Sequence, residues 1–165
     1  MTAVLSIGSN TGDRLAHLQK ALDLLLPVAV SPVYETDPWG PVEQDDFLNA
    51  VVVLDCDAEQ AWVRAVAAET AAGRVRELRW GPRSLDVDVV VAVGSDPDLA
   101  LPHPRAHERA FVLVPWLALD PDAVLPGHGR VADLVAALDT TGVRLRPDLV
   151  LDVPVTGPGT DAGPA

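Results

Sequence analysis

Two hydrophobic periods alternate along this chain, and their order constrains the fold more than any other feature. Ala3 to Ile7 is a short apolar run, and Gly8-Ser9-Asn10 after it reads as a turn. Leu15, Leu18, Leu22, Leu25 and Leu26 recur at helical spacing until Pro27 stops them. Asn10 or Thr11 is placed to cap that helix, with Asp13 in its first turn. Val28 to Thr36 alternates as a strand does, and Phe47 to Leu54 forms a third strand. Asp57 with Gln60 resembles a capping box. It opens an Ala-rich helix through Ala72, with Trp62 and Val66 on one face and Gly73 as terminator. Leu85 to Val93 is rich in β-branched residues and makes a fourth strand. The sum is β-α-β-β-α-β, the split βαβ arrangement of ferredoxin-like folds, so an α/β (α+β) class is expected.

The remaining segments extend that core. Residues 37–46 carry two Pro, one Gly and four acids, which predicts a loop long enough to be functional. Residues 102–110 read as a loop with a short helical turn. Phe111 to Leu119 fits strand or helix, because Pro115 interrupts it. Val131 to Leu138 predicts a short helix and Val143 to Val153 a last strand. The Pro/Gly-rich tail from residue 154 is expected to be disordered. One domain over residues 1–153 accounts for the length of 165.

Composition excludes several function classes. The single cysteine, Cys56, rules out a disulfide framework and a cysteine-based zinc site, and a reducing cytoplasm is expected. No apolar run approaches bilayer length. With 24 acids against 12 Lys+Arg, the net charge of −12 disfavours nucleic acid and anionic membrane as partners. The scarce basic charge is concentrated: Arg74, Arg76, Arg79 and Arg83 fall within ten residues, and Arg105 and Arg109 form a second group.

The candidate chemistry begins with Asp86 and Asp88. Two residues apart in a strand, they share a face, while Leu85, Val87 and Val89 take the other. Paired carboxylates repel unless a cation joins them, and an all-oxygen set that leaves room for substrate phosphates suits magnesium. A solvated polar face would give the same pattern. The Arg cluster leads directly into this pair, and guanidinium forks match phosphate oxygens. Taken alone the cluster could be a surface loop. Taken with the carboxylates it suits phosphoryl transfer, whose catalysis is mostly positioning and charge stabilisation. Trp80 could pack on a nucleotide or on the protein. Phe47 and Phe111, the two Phe of the chain, have Asn49 and Arg109 as same-face neighbours in extended segments. Such a set can sandwich a flat heterocycle and read its edge, or simply belong to the core. His103 suits a hydrogen bond to phosphate or backbone better than a zinc site.

Four blocks in order carry a family resemblance. They are Ile7-Gly8-Ser9-Asn10 with Gly12-Asp13; Phe47-Leu48-Asn49-Ala50; Arg79-Trp80-Gly81-Pro82-Arg83-Ser84-Leu85-Asp86-Val87-Asp88; and Pro102-His103-Pro104-Arg105 through Arg109-Ala110-Phe111 to Pro115. The chain resembles the 6-hydroxymethyl-7,8-dihydropterin pyrophosphokinases over about residues 3–150. The resemblance implies a ferredoxin-like core with helices on both faces of the sheet. It implies transfer of diphosphate from ATP to the pterin hydroxymethyl group, releasing AMP, in folate biosynthesis. Asp86 and Asp88 would hold two Mg²⁺ ions. Arg74 and Arg83 would act in catalysis. Arg76, Trp80, Arg83, Val89, His103 and Arg109 would contact ATP. Thr36, Trp39, Phe47, Asn49 and Phe111 would form the pterin site. Loops 37–46 and 74–84 would move. Among departures from the family pattern, Thr11 replaces an aliphatic residue, Asp37 stands where Pro is frequent, and Val66 where some members place a Gln. A monomer working on two small molecules is expected. The competing readings are a non-catalytic ferredoxin-like binding module and a metal-dependent phosphohydrolase.

Overall fold

The computed structural model describes residues 2–73, 84–94 and 100–154. Its elements run β1 (Ala3–Ser9), α1 (Arg14–Leu25), β2 (Ala29–Val30), β3 (Tyr34–Thr36), β4 (Phe47–Leu54), α2 (Ala58–Ala71) and β5 (Asp86–Ala92). A single 3-10 turn (Ala106–Glu108) leads to α3 (Ala110–Leu119), the hairpin β6 (Val124–Leu125) and β7 (Gly129–Arg130), α4 (Val131–Ala137) and β8 (Val143–Leu145). The main sheet is antiparallel, in the order β5-β1-β4-β3-β8, with β2 also pairing with β4. Its first four strands have the spatial order of the split βαβ fold, which hydrophobic period alone does not specify.

Period decides which face each side chain takes. Ala3, Leu5 and Ile7 of β1, with Leu48, Ala50, Val52 and Leu54 of β4, pack against Leu18, Leu22 and Leu25 of α1. The α2 contribution to that layer is small: Ala61, Ala65 and Ala68 let the helix approach the sheet closely. Trp62 and Val66 do share a face of α2, but that face is exposed. The alternate residues Val4, Val51 and Val90 build a second core with Val112, Leu113 and Trp116 of α3 and Val131 of α4. Helices thus cover both faces, as expected.

Four local expectations are corrected. Strand β1 continues through Ser9, so Gly8 and Ser9 are strand and not turn. The α1 cap is Asp13, whose Oδ1 accepts from the Ala16 amide at 3.1 Å, while Asn10 reaches elsewhere. The second strand is broken at Ser31-Pro32 into β2 and β3, because proline has no amide to give a ladder. The last strand ends at Leu145, not Val153, while Phe111 to Leu119, which fitted strand or helix, is helical around Pro115. Burial of Val112, Leu113 and Trp116 offsets the helical bond that Pro115 cannot make. By contrast, the Asp57 cap forms as expected, accepting from the Gln60 amide at 2.9 Å.

The C-terminal segment is tied back by charge. Glu35 of β3 accepts from Arg14 of α1 at 2.7 Å and from Arg146 at 3.0 Å. The Arg14 hydrogen bond is the main reason that the Glu35 carboxyl is held below its usual range, and Arg146 adds to it. A depressed carboxylate stabilises the fold above its unfolded value and loses that contribution as pH falls through the folded one. Urea unfolding of the wild type is therefore expected to weaken as pH drops from 5 towards 3, with a shallower dependence in Glu35→Gln. Identical pH profiles for the two proteins would contradict this.

Candidate active site

Strand β1 carries few side chains of its own towards the site, yet it positions the site. It is bonded on both edges, and Gly8 lies opposite Asn49 of β4 on one side and Asp86 of β5 on the other. Directly paired residues share a face, so Asn49 and Asp86 lie on one face of the sheet with a glycine between them. One step along the same face, Ser6 lies between Val51 and Asp88, and Thr36 pairs with Phe47. This is the α3 face, beyond the part that α3 covers. The reason for Gly8 is steric. A Cβ there would sit 2.5 Å from Asn49 Nδ2 and 3.4 Å from a Phe47 ring carbon.

The amide of Asn49 is buried and held at both ends. Its Oδ1 accepts from the Thr36 hydroxyl at 2.6 Å, and its Nδ2 donates to the Ile7 carbonyl at 3.2 Å. A buried polar group fixed in this way presents a defined edge to a ligand.

At the other end of the face, the Arg109 side chain is only 8% exposed and lies 3.5 Å from Asp88, which is 31% exposed. The Arg109 guanidinium carbon is 5.0 Å from the Trp39 ring and 5.6 Å from the Phe111 ring, and Arg105 also lies over Trp39 at 5.5 Å. Burial pulls the Arg109 pKa down, and the charges of Asp88 and Asp86 pull it back up. Trp39 belongs to loop 37–46, so that loop reaches across to the start of α3. Arg109 is the residue just before α3 and Phe111 lies in its first turn, so they meet through a helix start and not along an extended strand.

His103 docks by its backbone, its amide donating to the Val90 carbonyl at 2.7 Å on the outer edge of β5. The Arg105 amide donates to His103 Nδ1 at 3.2 Å, so the proton of the neutral ring lies on Nε2. Burial, then the charge of Arg109, lowers the His103 pKa, with Asp86 opposing. In the neutral form Nε2–H is thus the ring's donor.

Val89 takes the opposite orientation. Its side chain is in the α1/α2 core and takes no part in this face. The outer edge of β5 is otherwise occupied. Glu69 of α2, 5% exposed, accepts from the Val87 amide at 2.9 Å through Oε2. That bond fixes the residue between the two aspartates. Glu69 was not legible as a site residue, although it follows Ala61 and Ala65 at four-residue steps on the buried stripe of α2. Asn10 was likewise read only as a cap. Its Nδ2 donates to Gln44 Oε1 at 2.8 Å and to the Asp45 carbonyl at 3.0 Å, holding loop 37–46.

The structure thus brings together Asp86, Asp88, Arg109, Trp39 and Phe111, with His103 at the adjoining strand edge and Thr36, Phe47 and Asn49 on the same face. Arg74, Arg76, Trp80 and Arg83 lie outside the described residues, as do residues 155–165.

Asp86 and Asp88 thus lie beside a cluster of Arg109, Trp39 and Phe111, with Thr36, Phe47 and Asn49 further along the same face. The profile of the 7,8-dihydro-6-hydroxymethylpterin-pyrophosphokinase (HPPK) family matches residues 4–121. The 2-amino-4-hydroxy-6-hydroxymethyldihydropteridine pyrophosphokinase of Mycobacterium leprae is 51% identical over 185 residues, covering 98% of this chain and 96% of that one. The Mycobacterium tuberculosis protein of the same name is 47% identical over 173 residues, covering 90% and 92%. A crystal structure of Plasmodium falciparum HPPK-DHPS shares the fold with a TM-score of 0.60 at 14% identity, over 82% of this chain. The present chain spans 43% of that longer protein. The chain belongs to the 7,8-dihydro-6-hydroxymethylpterin-pyrophosphokinase family.

Two outcomes test this geometry. Glu69→Ala leaves the buried Val87 amide without that acceptor and is expected to cost about 1–3 kcal/mol in urea unfolding. Glu69→Gln keeps an acceptor oxygen and should cost less; equal losses would show that the acceptor is not what matters. In the metal-free protein the His103 ring is expected to titrate below the usual 6.5, because it is buried and lies near Arg109. An NMR midpoint at or above 6.5 would contradict that lowering.

Proposed function

We propose that the α3 face is where this pyrophosphokinase transfers the diphosphoryl group of ATP to the hydroxymethyl group of 6-hydroxymethyl-7,8-dihydropterin. The products are AMP and the pterin diphosphate of folate biosynthesis. The observation that carries the reading is the shared row: the register of β1 sets Asn49 and Asp86 on either side of Gly8, within one small-molecule span.

The pterin end is the Asn49 end. Asn49 reads the polar edge of the heterocycle, Thr36 holds its amide, and Phe47 and Phe111 offer ring faces, with Trp39 closing from the loop. Buried hydrogen bonds fix the orientation of Asn49 before any ligand arrives, so little ordering cost falls on binding.

The nucleotide end is the β5 end. Asp86 and Asp88 are half-exposed on one face, which fits magnesium: such an ion takes one or two carboxylates and leaves its other positions to water and phosphate. Two ions held there would neutralise phosphate charge as it builds on the leaving nucleotide. Arg109 supplies a fixed positive charge beside the same oxygens, and its burial strengthens that charge's effect. The neutral Nε2–H of His103 is a donor for a phosphate oxygen. The outward backbone at Val89 is the group left to meet the base. Arg74, Arg76, Trp80 and Arg83 are proposed, from the family resemblance, to complete the phosphate and nucleotide contacts, with Arg74 and Arg83 in the chemistry.

The reading is tested by AMP formation. Turnover is expected to require both the dihydropterin and Mg²⁺. Asp88→Ala should abolish turnover while pterin binding by calorimetry persists. Phe111→Ala should weaken pterin affinity by about 1–3 kcal/mol if the ring stacks as aromatic side chains do on bases. AMP release without the pterin would instead support a phosphohydrolase, and an unchanged rate in Asp88→Ala would reject the metal assignment.

A further inference from the structure

Loop 37–46 is fastened at both of its ends by one side chain from the far end of the chain. Arg144 of β8 donates through Nη1 to Asp37 Oδ1 at 2.9 Å and through Nη2 to Asp46 Oδ2 at 2.9 Å. Asp37 and Asp46 are the first and last residues of the loop, and Thr36 and Phe47, which flank it, are paired across β3 and β4. The backbone adds to the same junction, with the Asp37 amide donating to the Gly142 carbonyl at 2.9 Å. Strand β8 is seated on β3 with Arg144 opposite Glu35. Arg144 lies beyond residues 4–121, the part matched by the family profile.

We propose that Arg144 is a positioning residue for the pterin, a guanidinium clamp that closes the base of loop 37–46 and so sets the placement of Trp39. The inference rests on the reading of this face as the pterin site. The physical case is as follows. Asp37 and Asp46 carry like charge and are brought together by the β3–β4 pairing, so they repel unless a cation joins them. A guanidinium can serve two carboxylates at once with separate N–H groups, which a lysine ammonium does with poorer geometry. Both ion pairs are exposed, the Arg144 side chain being 43% accessible, so they add little to global stability. At the neck of a loop the same weak pairs act on a local equilibrium between closed and splayed. Inside the loop, Asn10 holds Gln44 and Asp45, and Arg14 donates to the Asp46 carbonyl at 3.1 Å. The clamp therefore governs the opening of a loop that is already shaped.

The test uses the full chain and four readouts. In Arg144→Ala the KM for the dihydropterin is expected to rise about three- to tenfold, the scale that two exposed ion pairs can supply. The KM for ATP and the urea midpoint should stay near wild type. Cleavage after Glu43 by a glutamate-specific protease, mapped by mass spectrometry, should be faster. Raising salt should move the wild-type pterin KM towards that of the variant, because screening weakens exposed pairs. Unchanged Glu43 cleavage would overturn the clamp. Unchanged pterin KM, in a preparation where Phe111→Ala does raise it, would overturn its role in positioning. If Phe111→Ala also leaves the pterin KM unmoved, the reading of this face as the pterin site falls, and the proposal with it.

Discussion

Strand β1 is hydrogen-bonded along both edges, and its two registers place Gly8 between Asn49 and Asp86. The rest of the site depends on that alignment. Side chains alternate faces along a strand, so a slip of one residue in either register would turn the amide or the carboxylates into the α1/α2 core. The apolar parity of Leu5, Ile7, Ala50, Val52, Val87 and Val89 prevents such a slip, because all of them must stay buried on the other face. Core packing on one side of the sheet thus sets the chemistry on the opposite side.

Strand β5 is the outer strand of the sheet, and its exposed edge would carry unmet amides and carbonyls. Instead, Glu69 takes the Val87 amide, the His103 amide takes the Val90 carbonyl, and the Ala58 amide takes the Val93 carbonyl. A register shift in the β1–β5 pairing, between Val4 and Leu5, falls just beyond the aspartates. These contacts hold the outer edge of the strand that carries the two carboxylates. At this face Arg109 is buried against Asp88, and Arg105 and Arg109 both lie near Trp39.

Much of this was legible beforehand, for identifiable reasons. Strict two-residue alternation marked Asp86 and Asp88 as one face. Capping chemistry marked Asp57, and Gly73 closed α2 with a positive φ of 72°. The misreadings cluster where long-range contacts overrule local signals. Gly8 resembled a turn residue, yet it is a strand residue kept small by Asn49. Asn10 resembled a cap, yet its amide serves a loop more than 30 residues away. Glu69 and Arg144 carried no local signal, since nothing near them in sequence reports the strand edge and the loop that they meet.

The sequence by itself determined the β-α-β-β-α-β succession of the core, the burial parity of its long strands, and the residue types they carry. Those follow from the 2.0 and 3.6 periods and from side-chain chemistry, which are local properties. Only the tertiary structure decided the order β5-β1-β4-β3-β8, and with it which residues became neighbours. Strand pairing is a contest between distant segments for the same edge, settled by how both faces pack at once. For that reason Asn49 and Asp86, 37 positions apart in sequence, meet across a single glycine. For the same reason Arg144 comes to hold a loop that begins more than one hundred residues before it.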